Sequence, residues 1–269
     1  MRLICGGATE KGPVKAVNQD SYLVKRAETP AGDVALAVVA DGMSGLDEGE
    51  VASAAVVRAF DQWFQRTLPC LGESLGFAGP SFAQTLHVQW ENVVQEVNLT
   101  LMQRGLRQGA SLGAACTIFL VAAGVFYVMQ VGDTRLYCVS GGTWRQLTED
   151  QTFAAREQAA GRLSPQELAV HPLRNTLLQC VGASQNLNPV FFQGVFDEEA
   201  TYLVCSDGFH RSVTELEVVA ACAPAALRAG GAVHESLQHL LAVGFTRGQK
   251  DNATAVALVA AAGEGLASC

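Results

Sequence analysis

Leu36-Ala37-Val38-Val39-Ala40-Asp41-Gly42 is an apolar run of strand length that stops abruptly at an acid and a glycine. A strand so placed carries its carboxylate to the end of a stiff element, where the side chain opens into a loop rather than into the core. Tyr202-Leu203-Val204-Cys205-Ser206-Asp207-Gly208 repeats the arrangement, and these two stretches hold the only Asp-Gly pairs in the chain. A strand delivering an acid is therefore used twice.

Working outward, residues 2–8 and 20–25 read as short strands on either side of a loop with Gly12 and Pro13 that ends in Lys15-Ala16-Val17-Asn18-Gln19-Asp20. After Gly42, Asp47-Glu48-Gly49-Glu50 places acids where the first turn of a helix favours them, and the helix should run to about Leu68. Val56, Phe60, Trp63 and Phe64 give it one apolar face. A second helix carries Phe82, Leu86, Trp90, Val93, Val97 and Leu101 at steps of three and four, with Pro69 to Pro80 as the connection.

From Ala115 to Leu147 the period falls to two, with runs at 115–122, 125–131, 136–139 and 143–147 that predict an antiparallel meander interrupted by Gly132-Asp133-Thr134. Residues 149–170 return to helix-like sequence, with Ser164-Pro165-Gln166-Glu167 as a helix start. Strands near 190–196 and 201–206, helices near 214–222 and 232–243, and a last strand at Ala253–Ala260 complete the order.

Composition bounds the function. The 269 residues are 49% hydrophobic and 16% charged, enough for a large core and poor in the features of disorder. One α/β domain is expected. A net charge of −8 and a pI near 5.1 exclude the basic face that nucleic acid or an anionic membrane needs. Neither a signal peptide nor an 18-residue apolar span is evident. The eight cysteines, including Cys70 and Cys269, lie far apart and mostly in apolar runs, as small buried hydrophobes in a reducing cytoplasm would.

Asp20, Asp41, Asp133, Asp207 and Asp251 each fall at a predicted strand end or tight turn, and none is expected to be taken up by an ion pair at helical spacing. Any Asp-Gly alone is an ordinary turn. Brought together, the carboxylates repel unless a cation intervenes. With no His-Glu-x-x-His and no cysteine pair, oxygen donors favour Mg²⁺ or Mn²⁺, and a glycine after the acid permits a turn whose carbonyl can face the ion. Two such ions suit phosphoester hydrolysis.

The ordered set Lys15-x-x-Asn18-Gln19-Asp20, Val39-Ala40-Asp41-Gly42-Met43-Ser44-Gly45 with Gly49-Glu50-x-Ala52-Ser53, Gly132-Asp133-Thr134-Arg135, Ser206-Asp207-Gly208 and Lys250-Asp251-Asn252-Ala253-Thr254 resembles the metal-dependent protein phosphatases of the type 2C class, in their compact bacterial form. The resemblance spans the whole chain, 1–269, as a single catalytic domain. It includes Leu147-Thr148-Glu149-Asp150-Gln151 and His171-Pro172-Leu173-Arg174-Asn175, which resemble the flap-bearing segment, here about 149–185.

That resemblance implies an α+β, four-layer α-β-β-α sandwich of two antiparallel sheets between helix pairs. It implies hydrolysis of phosphoserine and phosphothreonine on proteins at two, or three, Mn²⁺ or Mg²⁺ ions, opposing a serine/threonine kinase in a bacterial cytoplasm. Asp41 would bridge the ions, Asp207 and Asp251 complete one, the Gly42 carbonyl serve the other, and Asp133 with Asp207 hold a third. Asp41 and Asp207 would then face each other across the sheets with Asp251 between them. Asp20 would fix metal-bound water and Lys15 bind the phosphate. The general acid is open between water and His171, with His210 a further candidate.

Two departures stand out. Lys15 replaces the family's usual arginine, keeping charge but losing a bidentate fork, and Ser44-Gly45-Leu46 replaces Gly-Gly-His. They keep alive a second reading, a weakly active module that binds phosphoproteins, beside a third, a small-molecule phosphatase.

Overall fold

The computed structural model describes residues 1–43, 48–230 and 233–262; Ser44 to Asp47, Ala232 and Cys269, named above, lie outside the described residues. In chain order the strands are β1 (Leu3–Glu10), β2 (Asp20–Thr29), β3 (Gly32–Gly42), β4 (Ala114–Ala122), β5 (Val125–Val131), β6 (Arg135–Ser140), β7 (Thr143–Gln146), β8 (Val190–Val195), β9 (Thr201–Cys205) and β10 (Ala253–Ala260). The helices are α1 (Gly49–Arg66), α2 (Leu68–Leu75), α3 (Pro80–Gln108), α4 (Phe153–Ala159), α5 (Pro165–Val170), α6 (Asp207–His210), α7 (Glu215–Cys222), α8 (Pro224–Gly230) and α9 (Val233–Thr246).

The continuous apolar run of β3 is explained by burial on both faces. Leu36, Val38 and Ala40 point outward into a core shared with Phe60 and Trp63 of α1 and Leu86 and Trp90 of α3. Ala35, Ala37 and Val39 point inward, against Val256 and Leu258 of the other sheet. β10 alternates likewise, with Ala255, Ala257 and Val259 meeting Val218 of α7 and Leu237 and Leu241 of α9. Two five-stranded antiparallel sheets result, ordered β1-β10-β9-β6-β7 and β2-β3-β4-β5-β8, and helices cover both outer faces. The expected α-β-β-α sandwich is therefore present.

Three expectations need correction. The stretch 115–147 is not one meander, because β4 and β5 pair in one sheet while β6 and β7 pair in the other. The chain changes sheets at Gly132-Asp133-Thr134, and period-two sequence cannot say which sheet receives a strand. The connection from Pro69 to Pro80 contains α2, where Pro69 takes a first-turn position that needs no N–H. Gly72 is there for packing, since a Cβ on it would press into the Phe77 ring. Finally, α3 buries Val94 and Asn98 more deeply than Val93 and Val97; Asn98 donates to Ser184 O at 2.9 Å and accepts from Gly182 N at 2.7 Å.

Ser164 caps α5 through a reciprocal capping box with Glu167, as its sequence predicts. Among the described residues five cysteines are buried, whereas Cys70 is exposed and Cys5 half-buried. Among the described residues no helix is long and apolar enough to cross a membrane.

Candidate metal centre

Asp20 opens β2 and Asp41 closes β3, and the antiparallel register sets them directly opposite each other. Such a pair of like charges is costly, and the protein meets the cost differently at each. Asp20, 7% exposed, accepts on one oxygen, Oδ2, from Ser206 Oγ at 2.8 Å and from Thr254 Oγ1 at 2.7 Å. Those hydroxyls belong to the other sheet, so Asp20 ties the two sheets together. Burial, opposed by these hydrogen bonds and reinforced by the charges of Asp207 and Asp251, holds its carboxyl up at about 6. Asp41 has no comparable clamp. Desolvation, then Asp20, Asp207, Asp133 and Asp251, push it well above the usual carboxylate range.

Asp133 sits at the sheet crossing, held by a net of buried amides and hydroxyls. Gln130 Nε2 donates to Thr134 O at 3.0 Å, Thr117 Oγ1 donates to the same carbonyl at 3.0 Å, and Gln151 Oε1 accepts from Gly132 N at 2.8 Å. The carboxyl is 6% exposed and raised to about 7 by burial first and by Asp207 second. Gln179 Nε2 also donates to Gln151 Oε1, at 2.8 Å, which links the flap-like segment to this crossing.

Asp207 begins α6 and Asp251 precedes β10. Each has a cation. Lys15 Nζ stands 2.9 Å from Asp251 Oδ1, and Arg211 Nη1 stands 2.8 Å from Asp207 Oδ2, with Nη2 3.8 Å from Asp133 Oδ2. The expectation that no acid has an ion-pair partner at helical spacing is thus wrong for Asp207. Arg211 lies four residues on, a signal plainly present in the sequence.

The two Asp-Gly glycines also serve as points of close backbone approach. Neither has a positive φ. A Cβ on Gly42 would lie 2.5 Å from Gln19 O and overlap Gly49 O, and one on Gly208 would overlap Asn252 O. Both are points where separate backbone segments touch, and Gly42 N donates to Gln19 O at 3.0 Å. Asn252 strengthens the junction by accepting from Gln19 N at 2.9 Å and donating to Lys11 O at 2.7 Å.

Asp41, Asp133, Asp207 and Asp251 line one cavity of about 270 Å³, together with Arg211 and Asn175. Asn175 belongs to the flap-like segment. Asp20, Lys15, Gly42, His171 and His210 do not line it. His171 stacks on Phe153 at 4.8 Å and its Nδ1 accepts from Leu173 N at 3.1 Å. His210 is held down at about 2 by burial and by Arg135 and Arg211, so its imidazole is neutral and has no extra proton to give.

As a donor set these all-oxygen groups suit a hard divalent cation, which would offset both the burial and the like charges that raise the carboxyl of Asp41. As placed, however, no three acid, histidine or cysteine side chains among the described residues converge closely enough to hold an ion.

A family model described as protein phosphatase 2C matches residues 13–242. The serine/threonine phosphatase stp of Listeria welshimeri is 27% identical over 212 residues, which cover 78% of this chain and 79% of that protein. The crystal structure of the Mycobacterium tuberculosis serine/threonine phosphatase PstP/Ppp superposes with a TM-score of 0.76 at 25% identity, over 97% of this chain and 99% of that one. A structure of the PstP catalytic domain in complex with two manganese ions aligns with a TM-score of 0.73 at 24% identity, over 97% and 99%.

Proposed function

The chain belongs to the protein phosphatase 2C family and is a metal-dependent protein serine/threonine phosphatase, and on that premise we propose that it hydrolyses phosphoserine and phosphothreonine at two manganese or magnesium ions held by Asp41, Asp207, Asp251 and the Gly42 carbonyl. The observation that carries this reading is the four carboxylates around one cavity, with Asp41 raised by burial first and by its acidic neighbours second. When bound, the ions supply neutralising charge and Lewis-acid activation of water and phosphate.

The remaining roles belong to the chain. Asp20 has one oxygen engaged by Ser206 and Thr254, which leaves Oδ1 to accept from the attacking water and aim it. Lys15, 2.9 Å from Asp251, is the cation that would bind the substrate phosphate, and its ammonium would be released for that role if Asp251 were engaged by an ion. The leaving alkoxide takes its proton from water in the open cavity, because His171 is turned to Phe153 and uses Nδ1 within its own loop. His171→Ala should then keep its activity. The reaction opposes that of a serine/threonine kinase.

Purified protein should hydrolyse an aryl phosphate and a phosphothreonine peptide with added Mn²⁺, and stop in chelator. Asp41→Ala and Asp207→Ala should each lose about 1,000-fold or more, on the scale of removing a principal transition-state contact. Full activity in Asp207→Ala would sink the mechanism. The pairing of Asp207 and Asp251 with the chain's own cations favours, as a second reading, a module that binds phosphoprotein without turnover. Tight phosphopeptide binding with no Mn²⁺-stimulated hydrolysis would select it.

A further inference from the structure

Arg211 is the C-cap that follows α6, and it lies at the acid-lined cavity. Its backbone N–H donates to Asp207 O at 3.1 Å, so a single turn anchors it beside the acid that opens the helix. From there one guanidinium reaches two carboxylates, Asp207 Oδ2 at 2.8 Å and Asp133 Oδ2 at 3.8 Å. These are the two side chains that the family resemblance gives to a third ion. Asp133 is almost fully buried and needs a counter-charge. Its neighbour Arg135 is already committed, in a bidentate pair with Asp150 at 2.8 and 2.6 Å.

We propose that Arg211 is a tethered cation that fills the position of a third metal ion, so that this centre works with two. This inference rests on the metal-dependent reading above. A guanidinium keeps its charge at every pH the protein survives. By bonding Oδ2 of Asp207 it would leave Oδ1 for the two-ion centre, while its other terminal nitrogen faces Oδ2 of Asp133. Asp133 then serves as a partner of Arg211 rather than as a ligand, and Arg211 is a positioning residue that fixes Asp207.

The test counts manganese bound per chain, by titrating the protein with Mn²⁺ and following the paramagnetic resonance signal of the free ion. Wild type should bind two ions. Arg211→Gln, which keeps bulk and removes charge at a 42% exposed side chain, should acquire a third site, about tenfold or more tighter than any residual third binding in wild type, as expected for removing one nearby positive charge. Arg211→Lys should remain at two. Arg211→Gln combined with Asp133→Asn should lose the gained site.

Three ions in wild type, falling to two in Asp133→Asn alone, would overturn the proposal, as would two ions in Arg211→Gln. A wild type that binds no manganese and shows no metal-dependent turnover would reject the metal reading itself, and the role of Arg211 with it.

Discussion

Gly208→Ala tests whether the two halves of the site are held at a fixed distance by backbone contact. A Cβ at this position would overlap the carbonyl oxygen of Asn252 and stand 3.0 Å from its carbon. Neither obstacle is the movable tip of a side chain. Asn252 is also pinned from its other end, through Gln19 N at 2.9 Å and Lys11 O at 2.7 Å, so it cannot retreat cheaply. Overpacking of this kind costs about 1–3 kcal/mol, and at roughly 2–4 °C per kcal/mol for a chain of this size the melting temperature should fall by about 2–12 °C. The displaced residues lie next to Asp207 and Asp251, and a shift on the order of 1 Å at a catalytic group costs about 100-fold in rate. Melting temperature and kcat for an aryl phosphate with saturating Mn²⁺ should therefore fall together. Gly141→Ala is the control, since Gly141 has φ of 57° with open space around it; it should lose about 1 kcal/mol from backbone strain and leave kcat alone. A Gly208→Ala enzyme with full kcat would refute the reasoning.

Other expectations follow from the same geometry. Asp20 and Asp133 are raised to about 6 and about 7, so the metal-free fold binds their protons more tightly than the unfolded chain does. Their contribution is complete below about pH 4 and disappears as pH rises through those values, worth at most about 4 kcal/mol for Asp133. Metal-free protein should melt lower at pH 8 than at pH 5, Asp133→Asn should flatten that difference, and equal melting at both pH values in wild type would contradict it. Asn252→Ala removes the hydrogen bonds to Gln19 N, Lys11 O and Val17 O that hold the loop carrying Lys15, and should cost about 1–3 kcal/mol in stability while raising KM; unchanged KM would separate the loop from substrate binding. Lys15→Arg restores a bidentate fork and should lower KM for a phosphomonoester by roughly 3–10-fold, whereas a raised KM would count against phosphate contact at this position.

Much of this molecule is readable in its sequence because its strands are buried on both faces and its large helices are amphipathic. β3, β4 and β10 stand out as unbroken apolar runs, and α1 and α3 as aromatic stripes. The acids are legible for a related reason, since each interrupts or borders such a run. What cannot be read is partnership between distant segments. Nothing in Val125 to Ser140 announces that Gly132-Asp133-Thr134 crosses from one sheet to the other. The glycines of the two Asp-Gly pairs look like turn formers, and only the arrival of Gln19 and Asn252 from far along the chain reveals them as contact points. Arg211 differs, because its spacing from Asp207 was available and is explained by ordinary helix geometry.

The strand order has a consequence for synthesis. β1 meets the rest of its sheet through β10, with Leu3 opposite Ala260 and Glu10 opposite Ala253. A chain growing from its N-terminus thus holds its first strand unpaired until the residues around 253–260 have emerged, and Asp251 arrives with them. Pairings this remote in sequence form late. Asp251 therefore takes its place beside the other acids only once β10 has found β1.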